Sequence, residues 1–219
     1  MPPRAPNLGA VLKLYIGTKN LSSWSLRPWL CLKHAGAEFT EQVIVLDQPD
    51  TKAKLGAISP SARVPVLVDE GLVIWDSIAI AEYVAEKFPE AHLWPSDPKR
   101  RAVARAVSAE MHAGFGDMRR EMAMNVMART PKHSLPEPVR RDVERVLAIV
   151  RDCLAQKAPG GPFLFGHFTI ADAMYAPVVT RFVTYDIAVP PDVRTYMDAV
   201  VALPAMQAWI AAAKAEVTA

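Results

Sequence analysis

Three short segments in the first half of the chain carry polar groups that could bind a small ligand. The first, Ser22-Ser23-Trp24-Ser25, lies at the start of a predicted helix. Unpaired N–H groups and the helix dipole favour negative charge at such a position, so a thiol bound there would ionise more readily. The serine hydroxyls could instead serve only as caps that begin the helix.

The second segment, Val64-Pro65-Val66-Leu67, places a proline at the start of an apolar strand. Such a proline lacks a ladder donor and marks either an edge strand or a cis peptide bond. A cis bond would turn the N–H and C=O of Val64 outward, where an extended peptide could pair with them by strand addition. An ordinary edge proline is the alternative.

The third segment, Trp75-Asp76-Ser77, ends a strand and begins a helix. First-turn N–H groups and the Ser77 hydroxyl could hold a carboxylate, while the Asp76 side chain could accept hydrogen bonds from an ammonium group. One turn could therefore recognise both charged groups of an α-amino acid. Alternatively, Asp76 acts only as the cap of the helix.

The elements that must position these segments follow an α/β pattern. The predicted order is β-α-β-α-β-β-α, with strands at 11–17, 39–46, 65–69 and 72–75 and helices at 25–35, 50–57 and 76–88. Glu70-Gly71 is expected to form the turn between the last two strands. This order describes a complete small α/β domain.

A second part of the chain follows a proline-punctuated segment at residues 91–98 and shows no convincing strand. Helices are predicted at 99–127, 137–157, 169–185, 191–201 and 204–215. The residues Thr169 to Asp172 fit a capping box at the start of the third. We therefore predict a flexible tail over 1–10, an α/β domain over 11–90, a linker over 91–98 and an all-helical domain over 99–219.

Composition excludes several functional classes. The chain has 219 residues, is 51% hydrophobic and 22% charged, and carries a formal net charge of +2, which argues against disorder and against a polybasic nucleic-acid-binding protein. Two cysteines, Cys31 and Cys153, cannot build a disulfide framework, so a reducing, cytoplasmic setting is expected. No signal peptide or membrane span is predicted. The five histidines show no metal-ligand spacing, so no metal is expected.

In combination, these segments resemble the glutathione S-transferase family, and the resemblance extends over nearly the whole chain. The stretch from Ser59-Pro60 to Pro65 is similar to the family's Asn/Ser-Pro segment and cis proline. Asp76-Ser77 is similar to its acidic-Ser pair, and residues 169–172 to the capping box of its helical domain. The resemblance implies a thioredoxin-like N-terminal domain followed by an all-helical domain, and glutathione as co-substrate.

The resemblance also implies a binding mode for glutathione. The cysteinyl backbone would pair with Val64 beside the cis Pro65, and the γ-glutamyl end would lie on Asp76 and Ser77. The family forms homodimers, so a homodimer is expected here as well.

The serine segment is most similar to the zeta-type Ser-Ser-Cys-Ser motif, which places the thiolate-stabilising hydroxyl at Ser22, with Ser23 as a nearby donor. The predicted activity is that of a glutathione transferase of alkyl or aryl groups. The glutathione thiolate would attack a hydrophobic electrophile held against the first long helix of the helical domain.

Two alternatives stay open. One is a glutathione-dependent isomerase of the maleylacetoacetate type, although Trp24 stands where zeta enzymes carry a cysteine and Arg181 follows Pro177 by four residues instead of seven. The other is an interaction protein that keeps the fold without turnover.

Arg119 and Arg120 could contact an anionic co-substrate, or they could lie on a solvated helix face.

Overall fold

The computed structural model describes residues 11–46 and 48–218, so the predicted tail at 1–10 lies outside the described residues. Within them, strands and helices alternate in the first part of the chain and helices follow. The strands are β1 Leu12–Gly17, β2 Phe39–Ile44, β3 Val66–Asp69 and β4 Leu72–Trp75. The helices are α1 Ser23–His34, α2 Thr51–Gly56, α3 Ser77–Lys87, α4 Pro98–Ala113, α5 Gly116–Glu121, α6 Glu137–Gln156, α7 Ile170–Thr184, α8 Pro191–Ala202 and α9 Pro204–Thr218.

The strands form one mixed sheet in the order β2-β1-β3-β4. Strand β1 runs parallel to β2 and antiparallel to β3, and β3 pairs with β4. Leu12, Leu14 and Ile16 alternate along β1 and are buried, so one face of this strand packs in the core. The predicted hairpin is confirmed, because Glu70 and Gly71 join β3 to β4 with φ of 48° and 87°, as a tight two-residue turn requires.

Helix α1 joins the two parts of the molecule. It contacts α3 in the sheet-containing part and both α7 and α9 in the helical part. Leu26, Leu30 and Leu32 are almost completely buried, and each such side chain contributes about 1.5–3 kcal/mol to stability. Packing from both parts therefore fixes the start of α1, where the serine segment lies.

The long helix predicted over 99–127 is interrupted, which corrects the sequence prediction. Helix α4 ends at Ala113, Gly114 is extended, and Phe115 adopts a left-handed conformation with φ of 62° before α5 begins. A side chain at Gly114 would place its Cβ 2.8 Å from the Glu110 carbonyl oxygen. The apolar spacing nevertheless continues across the break, because Met111, Phe115 and Met118 are all buried, so periodicity alone did not reveal it.

The predicted capping box begins α7, and that prediction is confirmed. The Asp172 carboxylate accepts hydrogen bonds from the N–H of Thr169 at 2.8 Å and from the N–H of Leu164 at 3.0 Å. Burial raises the pKa of Asp172 to about 6, although these hydrogen bonds favour the ionised form. The box thus fixes both the start of α7 and the loop before it.

The predicted order of an α/β part followed by a helical part is confirmed. Around the predicted linker at 91–98, α3 ends at Lys87 and α4 begins at Pro98; the exact domain limits stay a prediction. In the described part of the chain, no single helix is long and apolar enough to cross a membrane, although α8 and α9, bent by 70°, meet that test as a pair.

Candidate functional site

A cleft of about 360 Å³ lies where the predicted segments meet the helical part. Four predicted site residues line it, namely Val64, Pro65, Asp76 and Ser77. Trp24 of the serine segment and Trp75, which precedes Asp76, line it as well. Ser61, Arg63 and His112 complete the lining. A cavity of about 580 Å³ lies between α4 and α6, but it contains none of the predicted site residues.

Val64 and Pro65 form one wall of the cleft. The peptide bond between them is cis, as the family resemblance implied; the residues alone had left an ordinary edge proline open. Pro65 is buried and Val64 is half-buried. Strand β3 begins only at Val66, which pairs with Trp75 of β4, so the backbone of Val64 lies just beyond the end of the ladder. An extended peptide could pair with it there.

Asp76 and Ser77 form the opposite end of the cleft. Asp76 caps α3, because its Oδ1 accepts a hydrogen bond from the N–H of Ile78 at 2.9 Å, and its backbone has a φ of 75°. The Ser77 side chain is 1% exposed, and within the described structure its hydroxyl has no hydrogen-bond partner. An unpaired buried hydroxyl costs about 1–3 kcal/mol, so this position is suited to a ligand with a polar group.

Ser22 and Ser23 lie at the start of α1 and are buried, but they do not line the cleft itself. The helix begins two residues earlier than predicted, which makes Ser22 its N-cap, yet the Ser22 hydroxyl makes no capping hydrogen bond. Its Oγ lies 2.7 Å from the Oγ of Ser25, which also accepts a hydrogen bond from the N–H of Gly17 at 3.1 Å. The capping interpretation of Ser22 is therefore wrong.

Arg27, on the second turn of α1, ends the Ser-Ser-Trp-Ser-Leu-Arg segment that is similar to the zeta-type motif, but the sequence analysis gave it no role. It is fully buried, and in the described residues none of its three guanidinium nitrogens has a hydrogen-bond partner. Its guanidinium carbon lies 4.2 Å from the centre of the Trp24 ring. Burial, followed by repulsion from Arg119 and Arg181, lowers the pKa of Arg27 well below its usual value. The signal in the sequence was its place in that segment, one helical turn after Ser23.

The arginines considered from the sequence have other partners. Arg119 lies with its guanidinium carbon 4.8 Å from the Trp24 ring centre and donates to the carbonyl of Gly114 at 2.9 Å. Arg181 is 3% exposed and donates to the carbonyl of Met122 at 2.8 Å. Arg120 is exposed and pairs with Asp117, so the solvated-face interpretation holds for Arg120.

His112 also lines the cleft and was not predicted. It belongs to α4, and its Nε2 lies 3.2 Å from Oδ2 of Asp76. Its ring packs edge-on against Trp24, with 5.3 Å between ring centres. No local motif could identify this residue, because only the packing of α4 brings it to Asp76.

The two cysteines are poor candidates for chemistry. Cys31 is fully buried in α1, and burial raises the pKa of its thiol. Burial likewise raises the pKa of Cys153 to about 12. A thiol acts as a nucleophile only as the thiolate, so a reactive sulfur at this site would come from a ligand. The residues that the structure describes contain no group of three or more potential metal ligands.

Comparison with known proteins gives a family match in each part of the chain. The family model described as "Glutathione S-transferase, N-terminal domain" matches residues 21–87, and that described as "Glutathione S-transferase, C-terminal domain" matches residues 102–212. A solved structure of a glutathione transferase homolog from Burkholderia, with bound glutathione, is 25% identical and has a TM-score of 0.73. The similarity covers 94% of this chain and 99% of that one.

Curated relatives match over shorter stretches. A probable maleylacetoacetate isomerase from Caenorhabditis elegans is 39% identical over 102 residues, which is 47% of this chain and 47% of that protein. A maleylacetoacetate isomerase from Pseudomonas aeruginosa is 32% identical over 118 residues, covering 53% of this chain and 56% of that protein. The chain thus matches about half the length of these relatives.

Proposed function

This chain belongs to the glutathione S-transferase family, and from that premise we propose that it binds glutathione in the 360 Å³ cleft and activates the thiol for attack on an electrophile. Family membership confirms the resemblance inferred from the sequence. The binding site, the reaction and the roles of individual residues are the substance of the proposal.

The observation that carries the proposal is the turn at Asp76 and Ser77. The γ-glutamyl end of glutathione has one carboxylate and one ammonium group. The unpaired Ser77 hydroxyl and the N-terminus of the 11-residue helix α3 suit the carboxylate. Oδ2 of Asp76, the oxygen not used by Ile78, suits the ammonium group. The cysteinyl part would then reach Val64, beside the cis Pro65, and pair with its backbone.

The thiol of a ligand bound in this way points toward the start of α1. In this position the helix dipole and the nearby Arg27 and Arg119 favour the thiolate over the neutral thiol. A free thiol has a pKa of about 8.5, and each unit of lowering requires about 1.4 kcal/mol of preferential stabilisation. One hydrogen bond to the charged sulfur supplies about 1.5–3 kcal/mol.

We assign that hydrogen bond to Ser22, with Ser23 as the second donor. The Ser22–Ser25 hydrogen bond reverses by rotation of two hydroxyl hydrogens, since a hydroxyl can both donate and accept. Ser25 then donates to Ser22 while still accepting from Gly17, and Ser22 is free to donate to the sulfur. The hydrogen bonds then run from Gly17 to Ser25, from Ser25 to Ser22 and from Ser22 to the sulfur. In such a series each hydrogen bond polarises the next.

The reaction proposed is group transfer. The thiolate uses an electron pair to form a sulfur–carbon bond, and the leaving group departs with the electrons of the bond that breaks. A maleylacetoacetate-type isomerase is the second candidate, because two relatives bear that name. The guanidinium group of Arg181 donates to the backbone carbonyls of Met122 and Pro177. These hydrogen bonds argue against the isomerase, because they occupy the arginine that would bind its substrate. A non-catalytic interaction protein would have no use for the unpaired Ser77 hydroxyl.

The cellular setting and assembly are proposals as well. We expect a cytoplasmic homodimer that takes a hydrophobic electrophile, as the family resemblance implies. In support of an interface, β4 lies at the edge of the sheet and exposes Leu72 and Trp75.

Calorimetric titration with glutathione tests the binding site. We expect millimolar or tighter binding, and we expect Ser77→Ala to weaken it by about tenfold or more, because a hydrogen bond to a charged group is worth about 1.5–3 kcal/mol. Ser134→Ala, at an exposed position, is the matched control and should leave the affinity unchanged. Absence of binding by the wild-type protein at millimolar glutathione would overturn the proposal.

Activity toward an activated aryl halide tests the chemistry. Ser22→Ala should raise the pKa of bound glutathione, read from thiolate absorbance against pH, by about one to two units. The affinity for S-methylglutathione should change little, because Ser22 is proposed to contact only the ionised sulfur, which this ligand lacks. An unchanged thiol pKa would move the thiolate-stabilising role to Ser23 or to the helix N-terminus.

A further inference from the structure

His112 connects the helical part of the protein to the turn proposed to bind the γ-glutamyl group. It lies near the end of α4, and its Nε2 is 3.2 Å from Oδ2 of Asp76. Both residues line the cleft, and the His112 side chain is 27% exposed and that of Asp76 42% exposed. The other ring nitrogen of His112, Nδ1, is buried, and in the described residues it has no hydrogen-bond partner.

The two oxygens of the Asp76 carboxylate have different environments. Oδ1 accepts from the N–H of Ile78 at 2.9 Å and holds the start of α3. Oδ2 faces His112 and is the oxygen left for the ammonium group of a ligand. A charged imidazole and a ligand ammonium group would therefore be drawn to the same oxygen.

Charged side chains from several neighbouring elements act on the imidazole of His112. Asp76 favours a charged imidazole. Arg119, after α4, and Arg27, on α1, lie against the Trp24 ring that packs on His112, and Arg63 lines the same cleft. These three cations oppose a positive charge. On α4 itself, Glu110 is paired with Arg145 of α6. Asp76 also attracts the buried Arg27, while its direct contact is with His112.

We propose that His112 is part of the glutathione site and that its protonated form competes with the ligand's ammonium group for Asp76. This inference rests on the proposed function. Binding of the tripeptide to the charged form breaks the His112–Asp76 ion pair, and the imidazole then gives its proton to the solvent. The neutral imidazole leaves Oδ2 to the ligand. Glutathione affinity therefore decreases as the pH falls, because the protonated form of the free protein becomes more abundant.

Calorimetry with S-methylglutathione tests this competition. The methylated sulfur has no proton to lose, and at pH 5.5 the carboxyl groups of the ligand are already ionised, so a proton released at that pH comes from the protein. Titrations at pH 5.5, 6.5 and 8.0, each in two buffers of different ionisation enthalpy, give both the affinity and the number of protons released. For wild type we expect binding about tenfold weaker at pH 5.5 than at pH 8.0, because one linked proton changes an affinity by up to tenfold per pH unit. Proton release should be larger at pH 5.5 than at pH 8.0.

His112→Gln supplies the decisive comparison, because glutamine keeps a hydrogen-bonding side chain without a titratable charge. We expect its affinity to vary less than twofold over the same pH range, with no proton release, and to equal or exceed the wild-type affinity at pH 5.5. His133→Gln, at an exposed position, is the matched control and should behave as wild type.

The outcomes separate this inference from the proposed function. If wild type and His112→Gln bind with the same pH dependence and the same proton release, the role of His112 is overturned and the glutathione site stands. An affinity that rises as the pH falls would also overturn it, because a charged imidazole would then attract the ligand. If neither protein binds S-methylglutathione at pH 8.0, the proposed function fails, and the inference fails with it.

Discussion

Removing the Glu216 carboxylate tests how the last helix holds the turn that carries the serine segment. Near the end of α9, Glu216 accepts hydrogen bonds from the N–H of Lys19 at 2.9 Å and from the N–H of Asn20 at 3.1 Å. Trp209, also on α9, donates to the carbonyl of Lys19 at 2.8 Å, and the Asn20 carbonyl accepts from Val126 at 3.1 Å. All the backbone polar groups of Lys19 and Asn20 are therefore held by the helical part, directly before Ser22.

The expected cost of Glu216→Ala follows from this geometry. Lys19 and Asn20 are 6% and 8% exposed, and each N–H left unpaired in a buried position costs about 1–3 kcal/mol. Glu216 itself is half-buried, so water can replace part of what is lost. We therefore expect a loss near the lower end, about 2 kcal/mol, which corresponds to a decrease in Tm of about 4–8 °C for a chain of this size. Glu216→Gln keeps one of the two acceptor oxygens and should lose about half as much.

Urea unfolding measures the loss, and the pKa of bound glutathione measures its consequence. Because Lys19 and Asn20 lead directly into Ser22, loosening them should raise the thiol pKa, whereas binding of S-methylglutathione should change little. Glu38→Ala, at an exposed position, is the control and should shift the unfolding free energy by less than about 0.5 kcal/mol. If Glu216→Ala is as stable as Glu38→Ala, the reasoning is refuted; if it is less stable with an unchanged thiol pKa, α9 stabilises the fold without positioning Ser22.

Three further changes are expected to have measurable effects. Gly17→Ala would place a Cβ 2.8 Å from Leu46 Cδ1 and 3.0 Å from Ser22 Oγ, so we expect a loss of about 1–3 kcal/mol in urea unfolding and a slower transfer reaction. Burial raises the pKa of Asp172 in the folded state to about 6, against about 3.9 in the unfolded state. Between these two values the folded state binds more protons than the unfolded state. The free energy of unfolding of the wild type, relative to Asp172→Asn, should therefore decrease as the pH rises from 4 to 6 and stay constant above pH 6. Cys31 and Cys153 should resist alkylation at pH 8 in the native protein and react after unfolding, as mass spectrometry would show, since burial raises the pKa of both thiols.

Features with a local physical cause could be predicted from the sequence. The Glu70-Gly71 hairpin follows from the positive φ angles that such a turn requires. The capping box at Thr169 depends on residues three positions apart. In each case the residues that interact are close neighbours in the chain. Their types and spacing therefore contain the necessary information.

Features that depend on packing between distant segments could not be predicted. His112 lies 36 positions from Asp76 in sequence, and 196 positions separate Glu216 from Asn20. Neither contact leaves a local pattern. The break in the helix after Ala113 was not predicted for a different reason. The buried residues on either side of the break keep a helical spacing, although the backbone changes direction at Phe115. Periodicity reports which side chains are buried and does not report whether the backbone between them is continuous.

These contacts give the two parts of the molecule different roles in the proposed site. The sheet-containing part supplies the groups that would recognise the glutathione backbone, at Val64 and at the Asp76–Ser77 turn. The helical part supplies His112 beside Asp76, Arg119 beside Trp24, and Glu216 beneath the turn leading to Ser22. Recognition of the tripeptide can therefore survive changes in the helical part that alter its pH dependence or the ionisation of its thiol. Since α1 packs against both parts, a thiol bound at its start, as proposed, would lie where each of them can influence it.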